Sequence, residues 1–198
     1  MHLKILTILF ILLSFWTSAQ TSPSSQLGIS DKLFKEIQEG HIHAKSTVKN
    51  LENDKKQSLN FVIIGLHKKS CEFALQKLSL YENFQNYMGM VEKSSYDNKS
   101  QYVNLLLSHS LLPFRMTLKF KLPRIKSEGK YPFYFDNGFL KGLQGIINVS
   151  SYKKRCLFRT EANWKGKHSG FSPTFFEFFS SAAAKHSMEV LFRISSTY

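Results

Sequence analysis

Between Val91 and Trp164 several stretches of this chain place apolar residues at every second position, and after Pro173 they recur at every third or fourth. That switch of period constrains the fold more than any motif, because alternation suits a half-buried strand and 3.6-residue spacing suits a helix with one apolar face. The clearest case is Arg115–Leu122, where Met116, Leu118, Phe120 and Leu122 alternate with Arg115, Thr117, Lys119 and Lys121. Val91–Tyr96, Tyr102–Leu112, Gln144–Ser150 and Arg155–Trp164 read as further strands. Tyr131, Phe133 and Phe135 alternate ahead of a turn at Asp136, Asn137 and Gly138, and Gly166–Gly170 reads as a loop. Beyond it, Ser172 is placed to cap a helix with Pro173 in its first turn, and Phe175, Phe178, Phe179, Ala182, Ala183 and Val190 supply a wide apolar face.

The upstream half has a different order. Ser30 can cap a short helix with Leu33, Phe34 and Ile37 inward and Gly40 at its end. His41–Lys49 and Ser58–Lys68 then read as two strands joined by the charged turn Glu52–Gln57. Ser70–Met88 returns to helical spacing through Ala74, Leu78, Tyr81, Phe84 and Met88. Strands and helices are segregated along the chain, so the class is α+β with an antiparallel sheet, and a parallel nucleotide-binding sheet is disfavoured.

The first residues stand apart from this pattern. Met1–Lys4 is a short basic start, Ile5–Trp16 an apolar run, and Thr17, Ser18, Ala19 a small-residue stretch. This is the arrangement of a secretory signal cut after Ala19, and the run is shorter than the roughly 20 apolar residues of a membrane span. The expected organisation is a signal peptide at 1–19, a flexible leader at 20–32 and one domain at 33–198, in an exported protein that is periplasmic or secreted. In an oxidising compartment Cys71 and Cys156 can form a disulfide or sit as two buried thiols, and the sequence leaves both open.

The 198 residues include 27 Lys and Arg against 14 Asp and Glu, a formal charge of +13. From Gln101 onward there are 15 basic and 5 acidic residues, so the excess is concentrated in the second half. Such a balance points to an anionic partner. Arg115, Lys119, Lys121, Lys126, Lys153 and Lys154 are the candidates for contact with an anionic membrane surface, and no nucleic-acid motif is present. His41 and His43 share a strand face without a third ligand, and the remaining histidines are scattered, so no metal site is expected. Gly138, Gly142 and Gly145 match neither the dinucleotide nor the phosphate-loop spacing, and no serine lies in a nucleophile-elbow context. No catalytic residue and no cofactor is assigned.

Leu59–Leu66, the helix from Ser70, and the stretch Tyr81-Glu82-Asn83-Phe84-Gln85-Asn86-Tyr87-Met88 leading into Val91 and Glu92 resemble the START-like (SRPBCC) superfamily of polyketide cyclase and coenzyme-Q-binding proteins. Leu80 stands where that pattern usually has Asp, and the aromatic helix Pro173–Arg193 is similar to the family's long last helix. The resemblance implies a helix-grip fold, a curved antiparallel sheet wrapped around the C-terminal helix with an apolar cavity between them. The cavity lining it implies is Met116, Leu118, Phe120, Tyr131, Phe133, Phe135, Phe158 and Trp164 from strands, with Phe175, Phe179 and Ala183 from the helix. A solid core would satisfy the same pattern. The expected partner is a hydrophobic small molecule or lipid held by a monomer, with a cyclase or dehydratase-type enzyme, or a non-catalytic basic envelope-binding protein, as the alternatives.

Overall fold

The computed structural model describes residues 23–108, 115–138 and 140–196. The signal segment expected at 1–19 lies outside the described residues, as do 109–112, the end of the strand expected at Tyr102–Leu112. Two compact units are distinguished, Met1–Phe34 and Lys35–Tyr198. In the first, Pro23–Gln26 forms one helical turn within the segment expected to be a flexible leader, and Ser24 Oγ donates to the Asp31 carboxylate. Helix α1, Asp31–Gln38, starts where Ser30 Oγ accepts the Leu33 N–H at 3.3 Å and stops before Gly40, whose φ of +101° is one that a Cβ disfavours.

The second unit carries the sheet. Strands β1 (His43–Leu51) and β2 (Lys56–His67) form the expected hairpin, followed by helix α2 (Cys71–Leu78). The helical spacing continues to Met88, but the helix does not. It ends at Ser79, and a 3₁₀ turn (Tyr81–Asn83) and a short α3 (Phe84–Tyr87) follow. The interruption has an identifiable cause: Tyr81 is buried and its hydroxyl is engaged twice, donating to Pro123 O at 3.0 Å and accepting the Ile125 N–H at 3.1 Å. A tertiary contact thus sets the direction of a segment whose periodicity alone reads as one helix.

Six strands complete the sheet: β3 (Val91–Asp97), β4 (Tyr102–Leu107), β5 (Met116–Lys121), β6 (Gly129–Asn137), β7 (Gln144–Tyr152) and β8 (Arg155–Lys167). Strand β8 runs through Gly166, where a loop was expected, because it stays paired to β2 down to Lys56 opposite Lys167. The order is β1-β2-β8-β7-β6-β5-β4-β3, every neighbouring pair antiparallel. Register shifts interrupt β3–β4 at Glu92 and β5–β6 at Asp136, and such bulges bend and twist a sheet. The result is the curved eight-stranded sheet with a 23-residue final helix, α4 (Pro173–Ser195), that the α+β reading predicts.

Helix α4 starts as expected, with Ser172 Oγ accepting the Phe175 N–H at 3.3 Å and Pro173 in the first turn. It lies mainly against β1, β2 and α2. Gly65 makes the close approach possible: a Cβ there would sit 2.6 Å from Met188 Sδ and 2.9 Å from Phe192 Cε2. The Phe192 ring meets Phe158 at 5.4 Å and stands edge-on to His67 at 5.1 Å. A disulfide joins Cys71 at the start of α2 to Cys156 in β8, with Cα atoms 4.5 Å apart. Free core thiols, the other possibility the sequence leaves open, are therefore not what the fold contains.

Candidate binding face

Residues paired across an antiparallel sheet project to the same side, so the register defines the face that looks toward α4. Phe158 contacts Phe192 of the helix, and Phe158 is opposite Val149 and Gly65. Continuing strand by strand, Ile147 faces Tyr131, Gly145 faces Phe133, Phe135 faces Phe120, and Leu118 and Met116 face Leu105 and Leu107. All eight strand residues expected to line a cavity, from Met116 to Trp164, thus share the inward face. Their arrangement is aromatic and ordered. Phe120 stacks on Phe135 with centroids 4.7 Å apart and planes 11° off parallel, and Phe133 meets Phe135 edge-on at 6.0 Å.

Burial divides this face. Phe133, Phe158 and Trp164 are buried, whereas Met116, Leu118, Phe120, Tyr131, Phe135 and Ile147 are only half-buried although they point inward. The helix supplies the reason: it rests on the β1–β2 side of the sheet, so the inward side chains of β5 to β7 form an apolar floor with incomplete cover. Polar groups on that floor are few. The Tyr131 hydroxyl donates to Ser127 O at 2.8 Å, and no inward position of β4 to β7 is Asp, Glu, Lys, His or Cys. An apolar concave surface with one or two oriented polar atoms is the common form of a small-molecule site.

The helix residues fall differently. Phe176, not Phe175, enters the core, 2% exposed and edge-on to Trp164 at 5.9 Å. Phe175 is 49% exposed and is not brought to the sheet; it stacks on Phe179 at 6.3 Å and meets Phe171 at 5.1 Å. One residue along a helix is a 100° turn, which is why apolar spacing alone did not single out Phe176. Ala183 is half-buried and, seven residues on, returns to the face of Phe176.

Two open depressions, of about 550 Å³ and about 700 Å³, lie away from this floor. The first is lined by Lys121, Pro132, Tyr134, Gln144, Ile146 and Asn163 among others, mostly outward positions, and the second by α3 with β3 and β4. The six basic residues expected to meet a membrane do not form one surface. Arg115 pairs with Glu92, Lys119 lies over the Tyr102 ring at 4.6 Å, and Lys121 is on the outward face. Lys126 is in the β5–β6 connection, and Lys153 and Lys154 form the β7–β8 turn with φ of +47° and +64°. These last three sit at the far end of the sheet from the start of α4.

His67 is a functional-looking residue that sequence reasoning passed over. It is fully buried; its Nδ1 accepts the Lys69 N–H at 3.0 Å, which assigns the proton to Nε2, within 3.1 Å of both Ser195 Oγ and Ser196 Oγ. The signal available was only a histidine ending an apolar strand. Burial, reinforced by Arg155 and Lys69, holds its pKa below the usual histidine range. The neutral ring therefore ties the end of α4 to β2. His43 is lowered too, by burial and by Lys45. Because the unfolded chain binds these protons more readily, stability is complete above the ordinary histidine pKa of about 6.5 and falls as pH drops from there toward the lowered values. Unfolding titrations from pH 7 to pH 5 are expected to show that slope, and His67→Gln to flatten it while leaving the His43 share; an unchanged slope in the variant would remove His67 from this role.

No family model and no curated protein matches the chain. Solved structures do. The di-domain ARO/CYC StfQ from the steffimycin biosynthetic pathway aligns with a TM-score of 0.58 at 9% identity, over 72% of this chain and 50% of that one. Ara h 8.0201 aligns with a TM-score of 0.57 at 6% identity, over 71% of this chain and 99% of that one. A START superfamily protein from Mycobacterium smegmatis aligns with a TM-score of 0.52 at 8% identity, over 79% and 98%. The chain spans half of the two-domain StfQ and nearly the whole of the other two. At these identities the likeness concerns the backbone, and it agrees with the strand order, the bulged sheet and the final helix: the protein has the START-like, helix-grip fold.

Proposed function

We propose that this protein binds a hydrophobic small molecule or lipid non-covalently on the floor of β5 to β7, and that it does so as an exported, periplasmic or secreted protein at an anionic membrane surface. The observation that carries the binding reading is that Met116, Leu118, Phe120, Tyr131 and Phe135 point inward yet stay only partly buried, apolar surface that a solid core would cover. Export is supported by the apolar run Ile5–Trp16 with Thr17, Ser18 and Ala19 behind it, and the membrane element by the charge of +13. Binding is favoured over cyclase or dehydratase-type catalysis because the inward positions of β4 to β7 carry no Asp, Glu, Lys, His or Cys, and the hydroxyl of Tyr131, their one acid–base candidate, is already donated to Ser127 O.

The test is native mass spectrometry of the protein purified from an exporting host, with solvent extraction of what it carries, followed by titration with the apolar fluorophore 1-anilinonaphthalene-8-sulfonate. A stoichiometric apolar ligand, or saturable uptake of the fluorophore that Phe120→Ser weakens about tenfold, is the expected result. Phe135→Leu, which keeps the apolar floor, should retain uptake. No copurifying ligand together with no saturable uptake by the wild type would overturn the reading.

A further inference from the structure

The register that aims the apolar floor inward gives the opposite face of the sheet a composition of its own. From β2 across β8, β7, β6 and β5 to β4, one row of directly paired residues runs Asn60, Asn163, Gln144, Tyr134, Lys121 and Tyr102. Each alternates with an inward neighbour such as Trp164, Phe133 or Phe120, so the row projects away from α4. Its middle, from Asn163 to Lys121, lines the depression of about 550 Å³ described above. Four strands at about 4.8 Å apart make that stretch about 14 Å long.

The lining combines three chemistries. Tyr134 is 42% exposed and Ile146 44%, two of the four exposed large apolar side chains among the described residues. Pro132 is directly opposite Ile146 and Tyr134 opposite Gln144, so the three form one apolar platform, the ring and Ile146 being diagonal neighbours. Beside it, the side-chain amides of Gln144, Asn163 and Asn60 make no hydrogen bond among the described residues. Lys121 is the one charged residue of the lining, exposed and in no ion pair among the described residues. The acids on this face are already engaged: Glu161, opposite Ile146, pairs with Arg159, Asp136 accepts from the Tyr102 hydroxyl, and Asp97 accepts from Ser100 and the Lys99 N–H. The depression therefore keeps one uncompensated positive charge. A sugar ring that bears a carboxylate matches this set: its C–H face rests on an aromatic ring whose face is negative, its hydroxyls pair with amides that both donate and accept, and its carboxylate meets the ammonium. A polyphosphate only accepts hydrogen bonds, leaves the amide oxygens unmatched, and is best held by arginine, which this lining lacks.

We propose that this outward depression binds a uronate-bearing glycan, with Tyr134 as the stacking platform, Gln144 and Asn163 on the hydroxyls and Lys121 on the carboxylate. Asn60 and Tyr102 continue the row toward neighbouring sugars. The site is on the other side of the sheet from the apolar floor, and it rests neither on the hydrophobic ligand nor on a membrane.

Isothermal titration calorimetry of the purified protein with an oligogalacturonate, against neutral cellohexaose, tests it. Saturable binding of the acidic oligomer is expected, about tenfold tighter than of the neutral one and weaker at high salt. Tyr134→Ala should weaken it about tenfold, and Gln144→Ala and Asn163→Ala about fivefold each. Lys121→Ala should bring the two oligomers to similar affinity, while Lys153→Ala, which removes the same charge from the β7–β8 turn, should change neither. All these side chains face solvent, so the unfolding midpoint of each variant is expected to stay at that of the wild type. No binding, equal affinity of the wild type for the two oligomers, equal loss from Lys121→Ala and Lys153→Ala, or no effect of Tyr134→Ala would overturn the assignment. So would tighter binding of a single-stranded oligothymidylate, which would give the face to a nucleic acid. Fluorophore uptake separates this site from the floor: Tyr134→Ala should leave uptake unchanged, and Phe120→Ser should leave glycan binding unchanged. Loss of glycan binding in Phe120→Ser would put the glycan on the floor and overturn the outward site.

Discussion

Replacing Cys71 and Cys156 together by alanine is expected to lower the free energy of unfolding by about 4 to 5 kcal/mol. The bridge spans a sequence separation of 85 residues, so its loss returns a large loop-closure entropy to the unfolded chain. Both sulfurs are buried, and the bridge sits where α2, β8 and the end of α4 meet: Lys77 Nζ donates to Ile194 O at 3.4 Å and the Cys156 N–H to Lys69 O at 2.9 Å. The measurement is guanidinium unfolding of the wild type and the double variant, with the oxidised wild type compared against the same protein under reductant. A shift of the midpoint to lower denaturant is expected in both comparisons, with a steeper slope because the unfolded chain without its cross-link exposes more surface. Equal stability of the double variant and the oxidised wild type would show that the bridge contributes nothing.

Gly145→Ala is expected to destabilise by about 3 kcal/mol, much for the addition of one methyl group. A Cβ at this position would lie 2.2 Å from Glu161 O, 2.7 Å from Ala162 Cβ and 2.8 Å from Phe133 Cζ. The first of these is backbone of the neighbouring strand and cannot rotate away, so β7 and β8 must part or Phe133 must leave its place. Because Phe133 meets Phe135 on the binding floor, the variant should also weaken fluorophore uptake in proportion more than it lowers stability. Gly142→Ala, where φ is +90° but a Cβ meets nothing within 4 Å, is the comparison: strained, yet with no collision and no change in the floor. If both glycine variants behave alike, the close approach at Gly145 is not what holds Phe133.

The strands were legible because burying one face of a sheet imposes a period of two, and Met116, Leu118, Phe120 and Phe135 carry that period in plain view. The helix caps were equally local. Ser30 and Ser172, read as caps, each accept an N–H three residues on, an interaction encoded within a single turn, and Ser70 does the same at the start of α2. The break after α2 was not legible, since it depends on a Tyr81 hydroxyl that reaches residues more than forty positions away. Nor was the choice of Phe176 over Phe175, where five phenylalanines within nine residues offer several apolar faces and only docking selects one.

By itself, then, the sequence determined most of the elements, the inward face of the strands and the excess of positive charge, because periodicity, capping and composition are properties of neighbouring residues. Tertiary structure alone decided that Cys71 meets Cys156, that Gln57 and His67 become buried hubs, and that the lysines divide between the two ends and the outward face. It also decided that α4 lies toward β1 and β2, leaving the floor of β5 to β7 only partly buried. These features rest on strand register and on the line along which a helix crosses a sheet, and both are settled by packing between residues far apart in the chain.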